Sequence, residues 1–192
     1  MNRTEHPMSR IIRGALAVTA GLAALAGTVT AVHAADTTTS GAAPEPATVQ
    51  LQATHSGQCL TIDKGSLRNG ANAVQTPCAD GLDSQLFELA PTGDGTLELR
   101  PKHSGKCLEV ENSGTEGGSN VQQWWCNGGG QMRWRPFLVD VVKDLYELRP
   151  AHTTVPRCLD IKGGAVTEGA NAQLWYCNGS AAQQWQIKPV EA

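Results

Sequence analysis

The sequence predicts an all-β body of three equivalent units closed into a barrel. Three observations carry that reading. Residues 171–179 read NAQLWYCNG, residues 120–128 read NVQQWWCNG, and a fainter NAVQTPCAD occupies 72–80. Six cysteines keep the same rhythm: Cys59, Cys107 and Cys158 are each followed by Leu, and Cys78, Cys126 and Cys177 stand nineteen positions further on. Short alternating runs such as LEL, YEL and CLDI are separated by Gly, Pro, Asn and Ser every ~8 to 12 residues, the punctuation of strands and turns.

The repeat length is 48 residues from Cys59 to Cys107 and 51 from Cys107 to Cys158. A period near ~50 marks one supersecondary unit that cannot bury its apolar face alone. The openings VQLQATHSGQCL (49–60), LELRPKHSGKCL (97–108) and YELRPAHTTVPRCL (146–159) run in step, the last with two extra residues. The repeats fall at about 49–93, 94–143 and 144–192. With 21 Gly and 10 Pro, long helices are hard to place. FLVDVVKDLY (137–146) is helical by pattern, yet its place in the repeat matches a strand link, so strand and turn are expected. Closing three such units around one axis leaves no free edge. Phe87, Trp134 and Trp185 end the units at matched places and are expected to share the core. His55, His103 and His152 recur before each first cysteine and are read as structural.

Six cysteines allow 15 pairings. One spacing repeated three times argues for one bridge inside each unit: Cys59–Cys78, Cys107–Cys126 and Cys158–Cys177. Each closed loop should contribute about 3 kcal/mol in the chain-entropy model. Close Cys pairs and Cys/His clusters are missing from the sequence, so neither a metal nor another cofactor is expected.

The N-terminus has the layout of a secretory signal. Arg10 and Arg13 precede a charge-free run from Gly14 to Val32, and Val32-His33-Ala34 offers small residues at the cleavage positions. Removal after Ala34 is expected, which implies an extracellular protein in an oxidising compartment. An uncleaved membrane anchor is the competing reading, since the run approaches spanning length. Residues 35–48, with DTTTSGAAPEPAT at 36–48, read as a disordered leader. About 145 residues then remain, one ordinary domain. Without residues 1–34 the chain keeps 12 basic and 17 acidic residues, a charge of −5. No Lys/Arg cluster stands out, so nucleic acid and anionic membranes are not expected partners.

The S-G-x-C-L opening, the Cys pair, the Q-x-W-x-C phrase and the closing Q-x-W resemble the ricin B-type β-trefoil lectins, also known as carbohydrate-binding module family 13. The resemblance covers about residues 49–190. It implies a pseudo-threefold barrel of twelve strands with one potential sugar pocket per repeat, and carbohydrate as partner. In that family a competent pocket uses an Asp two residues after the first Cys, a Gln four before the second, an aromatic two before it, and an Asn ahead of the closing Gln. The third repeat supplies Asp160, Gln173, Trp175 and Gln183, with Ala182 in the Asn slot and Asn178 as a substitute. The second has Glu109, Gln122, Trp124 and Gln131, with Met132 at the closing position. The first has Thr61, Val74 and Thr76, and is expected to have lost the pocket and kept the framework.

These residue types suit sugar chemistry. A carboxylate accepts from two neighbouring hydroxyls, an amide both donates and accepts, and an indole covers the C–H face of the ring. The expected function is a secreted, monomeric, non-catalytic lectin module acting mainly through its third repeat. Catalysis is not expected: a glycosidase needs two opposed carboxylates, the acids are scattered through turns, and no G-x-S-x-G is present. The alternative is a secreted trefoil that binds protein, such as a protease inhibitor, through the loops Thr153–Arg157 or Asn112–Asn120, with relic pockets. A detached module of a larger enzyme complex is a third possibility, although no docking sequence is identifiable. A response to free sugar separates the lectin from the inhibitor.

Overall fold

The computed structural model describes residues 47–190. The expected signal segment and all but the end of the leader lie outside them. Twelve strands follow in order: β1 (Thr48–Ala53), β2 (Cys59–Ile62), β3 (Ala71–Thr76), β4 (Phe87–Pro91), β5 (Leu97–Pro101), β6 (Cys107–Val110), β7 (Val121–Trp124), β8 (Arg133–Asp140), β9 (Leu145–Pro150), β10 (Arg157–Ile161), β11 (Ala172–Tyr176) and β12 (Trp185–Pro189). The only helical turns among the described residues are short 3-10 turns.

Six strands pair antiparallel in a ring, β1–β4–β5–β8–β9–β12 and back to β1. The remaining six form three hairpins, β2–β3, β6–β7 and β10–β11, one per repeat. This is a β-trefoil. The ambiguous stretch 137–146 is the end of β8, a turn and the start of β9, as its place in the repeat requires. One assignment needs correction. Thr48, counted with the leader by composition, opens β1, and the carbonyl of Ala47 accepts the N–H of Leu89 at 2.9 Å.

The core is threefold because the sequence is. Leu51, Leu99 and Leu148, then Leu60, Leu108 and Leu159, then Ile62, Val110 and Ile161 fill matched layers. Phe87, Trp134 and Trp185 complete them without solvent exposure. Each indole N–H is satisfied by a carbonyl, Trp134 to Leu108 at 3.0 Å and Trp185 to Leu159 at 3.1 Å, so the rings fit the core at no polar cost. The E-L-R phrase also has a reason. Residues two apart on a strand share a face, and Arg100 and Arg149 clamp the buried Glu98 and Glu147 at 2.6 and 2.7 Å.

The recurring histidines join the repeats. Each Nε2 donates to a carbonyl of the preceding unit in cyclic order: His55 to Ala165 (2.9 Å), His103 to Ser66 (3.1 Å) and His152 to Gly114 (2.9 Å). Gln75 and Gln123 add two bonds each across the same seams. The third seam has Leu174 in that place, and Arg157 takes over by donating to Thr115 at 2.9 Å. The leading Asn of the repeated phrase closes the other end: Asn171 donates to Asn120, and Asn120 to Asn72, each at 2.9 Å. The three disulfides pair as expected, one within each repeat.

Candidate functional site

The β10–β11 hairpin builds the third-repeat site. Asp160 lies opposite Gln173, and Trp175 follows Gln173 by two, so all three project from one face. The carboxylate is 5% exposed. Its Oδ1 accepts Nε2 of Gln173 at 2.8 Å, and its Oδ2 accepts Nε2 of Gln183 at 3.1 Å. Burial pushes this carboxyl above the ordinary aspartate value, while the two amides and the nearby His55 pull part of the way back. Each oxygen gives one lone pair to an amide and keeps another, so two adjacent hydroxyls can be accepted at once.

Trp175 keeps 38% of its surface. Its posture is set from behind. Tyr176 meets it edge-on at 5.9 Å, and the guanidinium of Arg157 lies 3.9 Å over the Tyr176 ring. A Cβ on Gly117, from the second repeat, would stand 3.0 Å from Cε3 of Trp175 and 2.9 Å from Cε2 of Tyr176. Only a residue without a side chain fits there. The matched positions in the other repeats are Asn69 and Glu168.

These groups face a cavity of about 650 Å³. Asp160, Gln173, Trp175 and Asn178 line it, with Ala182 where the family places Asn. His55, Lys162, Gly163 and Gly164 also line it, and sequence reasoning had not assigned them to the site. His55 comes from the first repeat, so no spacing inside the third could reveal it. Gly163 and Gly164 are both left-handed (φ 66° and 59°), a conformation that glycine adopts without strain. A Cβ at Gly163 would meet nothing within 4 Å, so the pair leaves the rim open.

Gln183 is placed differently from the expectation. It is fully buried and absent from the lining. Its Nε2 also donates to the Tyr176 carbonyl at 2.9 Å, and its Oε1 accepts the N–H of Asn178 at 2.9 Å. It holds Asp160 and the turn at Asn178. The side chain of Asn178, in the cavity lining, accepts the N–H of Ser180 through Oδ1 at 2.9 Å.

The second repeat gathers its four expected residues, Glu109, Gln122, Trp124 and Gln131, around about 210 Å³, with Asn112, Ser113 and Asn127. Gln122 donates to Glu109 at 3.0 Å. Met132 stands where Gln183 stands in the third copy, and a thioether cannot donate a second bond to the acid. Asn112 and Ser113 occupy the left-handed positions that are Gly163 and Gly164 in the third repeat, and they line the smaller pocket.

The first repeat corrects the expectation of a lost pocket. A depression of about 600 Å³ persists, lined by Thr61, Thr76, Ser84 and Leu82 among others. What is missing is the chemistry: Thr61 and Thr76 hydrogen-bond each other at 2.8 Å, and Gln85 donates to Thr76 at 2.7 Å. Of the two loops considered for protein binding, the first exposes Thr154, Val155 and Pro156, and the second is anchored at one end. Arg157 is buried at the start of β10, and 114–119 is clasped to β11 through Gly118 N–H to Leu174 (2.7 Å) and Leu174 N–H to Ser119 (2.8 Å).

The chain matches the family described as ricin-type beta-trefoil lectin domain-like, over residues 37–124, 83–175 and 131–192. It belongs to that family. Among solved structures it is similar to ThreeFoil, a designed threefold-symmetric protein, at 35% identity and TM-score 0.69, covering 74% of this chain and 99% of that one. It is similar to an exo-beta-1,3-galactanase from Clostridium thermocellum at 26% identity and TM-score 0.71, covering 77% of this chain and 31% of the enzyme. The ricin B-like lectin of Macrolepiota procera, solved with lactose, shares the fold at 19% identity and TM-score 0.64, covering 75% and 96%. No curated protein matches the chain in sequence.

Proposed function

We propose that the chain is a secreted, non-catalytic carbohydrate-binding module that acts mainly through its third repeat. One observation carries the reading: a nearly buried carboxylate with each oxygen held by an amide, beside a half-exposed indole, on one face of an open cavity. The acid accepts hydroxyls, Gln173 orients it, and Trp175 covers the apolar face of the sugar. The second pocket has the same plan with a longer acid, one amide fewer and a smaller volume, which favours weaker binding. Family membership and the lactose complex of the Macrolepiota lectin support sugar as the ligand class. The signal-like N-terminus and three disulfides support export. The test is a glycan and polysaccharide binding panel on residues 35–192, with calorimetry of the positives. Saturable binding weakened by free sugar is expected. A panel with no positive overturns the proposal in favour of protein recognition. Intact mass of exported protein should place the N-terminus at Ala35 or Asp36.

A further inference from the structure

The third pocket differs from the other two in the charge of its rim. In every repeat a 3-10 turn follows the first hairpin strand. It opens with Asp63 in the first repeat, Glu111 in the second and Lys162 in the third. Lys162 lines the large cavity, and no ion pair engages it among the described residues. The titratable lining of that cavity is Asp160, Lys162 and His55. The first-repeat depression carries Asp63, Lys64 and Glu168, an excess of acid, and the second pocket carries Glu109 with Glu111 on the adjoining turn. The third cavity, the roomiest of the three, is thus the one whose lining carries as many lysines as carboxylates, while the acids outnumber the cations at the other two.

Asp160 balances that cation in net charge, but sits on the hairpin while Lys162 sits on the turn, so the two charges are presented at different places in the cavity. The Asp160 oxygens are each held by an amide N–H, which fixes their remaining lone pairs for hydroxyl donors. A charged substituent elsewhere on the same sugar, or on the next residue of a chain, meets the ammonium group at the rim. Resting on the sugar-binding reading above, we propose that the third pocket selects an acidic glycan, a sugar bearing a carboxylate or a sulfate, with Lys162 as the specificity-determining residue. At the second pocket the same anion is opposed by Glu109 and Glu111.

The gain is that of an exposed ion pair, about two- to fivefold in affinity, and it is screened once the Debye length shortens to about 3 Å near 1 M salt. The experiment titrates the exported protein with galactose, galacturonate and galactose 6-sulfate, and with xylotriose against xylotriose carrying a glucuronic acid branch. The acidic member of at least one pair should bind two- to fivefold tighter at about 20 mM salt, converging with its neutral partner near 1 M. Lys162→Gln should abolish the preference, read as the ratio of acidic- to neutral-sugar affinity measured on the same variant. Lys162→Glu should invert it. Both variants are at an exposed position and should unfold like the parent. If neutral sugars bind as tightly as acidic ones at low salt, or Lys162→Gln keeps the preference, the inference is overturned while the lectin reading stands. If none of these sugars binds and the wider panel is negative, both are overturned.

Discussion

Gln183 donates from Nε2 to Oδ2 of Asp160 at 3.1 Å, from a position with no solvent exposure. Its other bonds reach Tyr176 and Asn178, so one amide fixes both the acid and the turn beside it. In the first repeat Gln85 makes the matching framework bonds, donating to the Pro77 carbonyl and accepting the N–H of Ala79, each at 2.9 Å. The closing glutamine therefore serves the fold first, and reaches the site only through Asp160.

Gln183→Met copies the second repeat. It deletes two donated bonds and replaces an amide acceptor by sulfur. Stability should fall by about 2–4 kcal/mol, the cost of leaving buried partners unpaired. Sugar affinity should fall roughly tenfold, as one end of Asp160 loses its anchor. Urea unfolding and calorimetry read the two effects separately. Destabilisation with unchanged affinity would show that Gln173 alone orients the acid.

The raised pKa of Asp160 has two consequences of opposite sign. In the folded state the ionised form is the costly one. Its contribution to stability is therefore fully favourable below the ordinary aspartate value and is lost as pH rises through the raised one. Binding runs the other way, because only the carboxylate accepts from two hydroxyls. Affinity should decline on acidification at a higher pH than an exposed aspartate would give. Asp160→Asn should lower affinity at neutral pH about ten- to a hundredfold and flatten that decline. A pH series of calorimetric titrations decides; a parallel decline in the variant would assign it to another group.

Much of this was legible because it is local. Constant cysteine spacing, alternating Leu and Ile, and the terminal Phe87, Trp134 and Trp185 each report on one unit and its turn into the core. The site triad was legible for the same reason, since Asp160, Gln173 and Trp175 share one hairpin. What crosses repeats was not. His55 in the third cavity and Gly117 behind Trp175 are contributed by neighbouring units, and no spacing within the third copy marks them. The hollow at Thr61 persists although its acid, amide and ring are replaced, and slot matching reports residue types rather than volume. Slot matching placed Gln183 near the acid but said nothing of its burial.

The bridges should differ in what they do for the site. Replacing Cys158 and Cys177 by Ala opens the hairpin that carries the triad. Replacing Cys59 and Cys78 opens one that carries neither acid nor ring. Both pairs should lose about 3 kcal/mol of stability. Only the first should weaken sugar binding, by about tenfold. Equal loss of affinity in both, with each protein folded at the measuring temperature, would mean that the site depends on the barrel as a whole.

Gly117→Ala is the sharpest test of how the stacking ring is held. The added Cβ would stand 2.9 to 3.2 Å from the rings of Tyr176 and Trp175, closer than packed carbons tolerate. The backbone there cannot easily withdraw, because the bonds from Gly118 to Leu174 and from Leu174 to Ser119 hold it against β11. Trp175 must then tilt into the cavity it lines. Overpacking of this kind should cost about 1–3 kcal/mol of stability. Affinity should fall several-fold although no sugar-contacting group is changed, since a displaced platform no longer matches a ring set by Asp160. Near-UV circular dichroism should change in the tryptophan region without ligand. A stability cycle completes the argument. In a Trp175→Ala background most of the contact is gone, so Gly117→Ala should cost clearly less than in the parent. Additive costs would mean that the Cβ is accommodated elsewhere and that Gly117 does not set the position of Trp175.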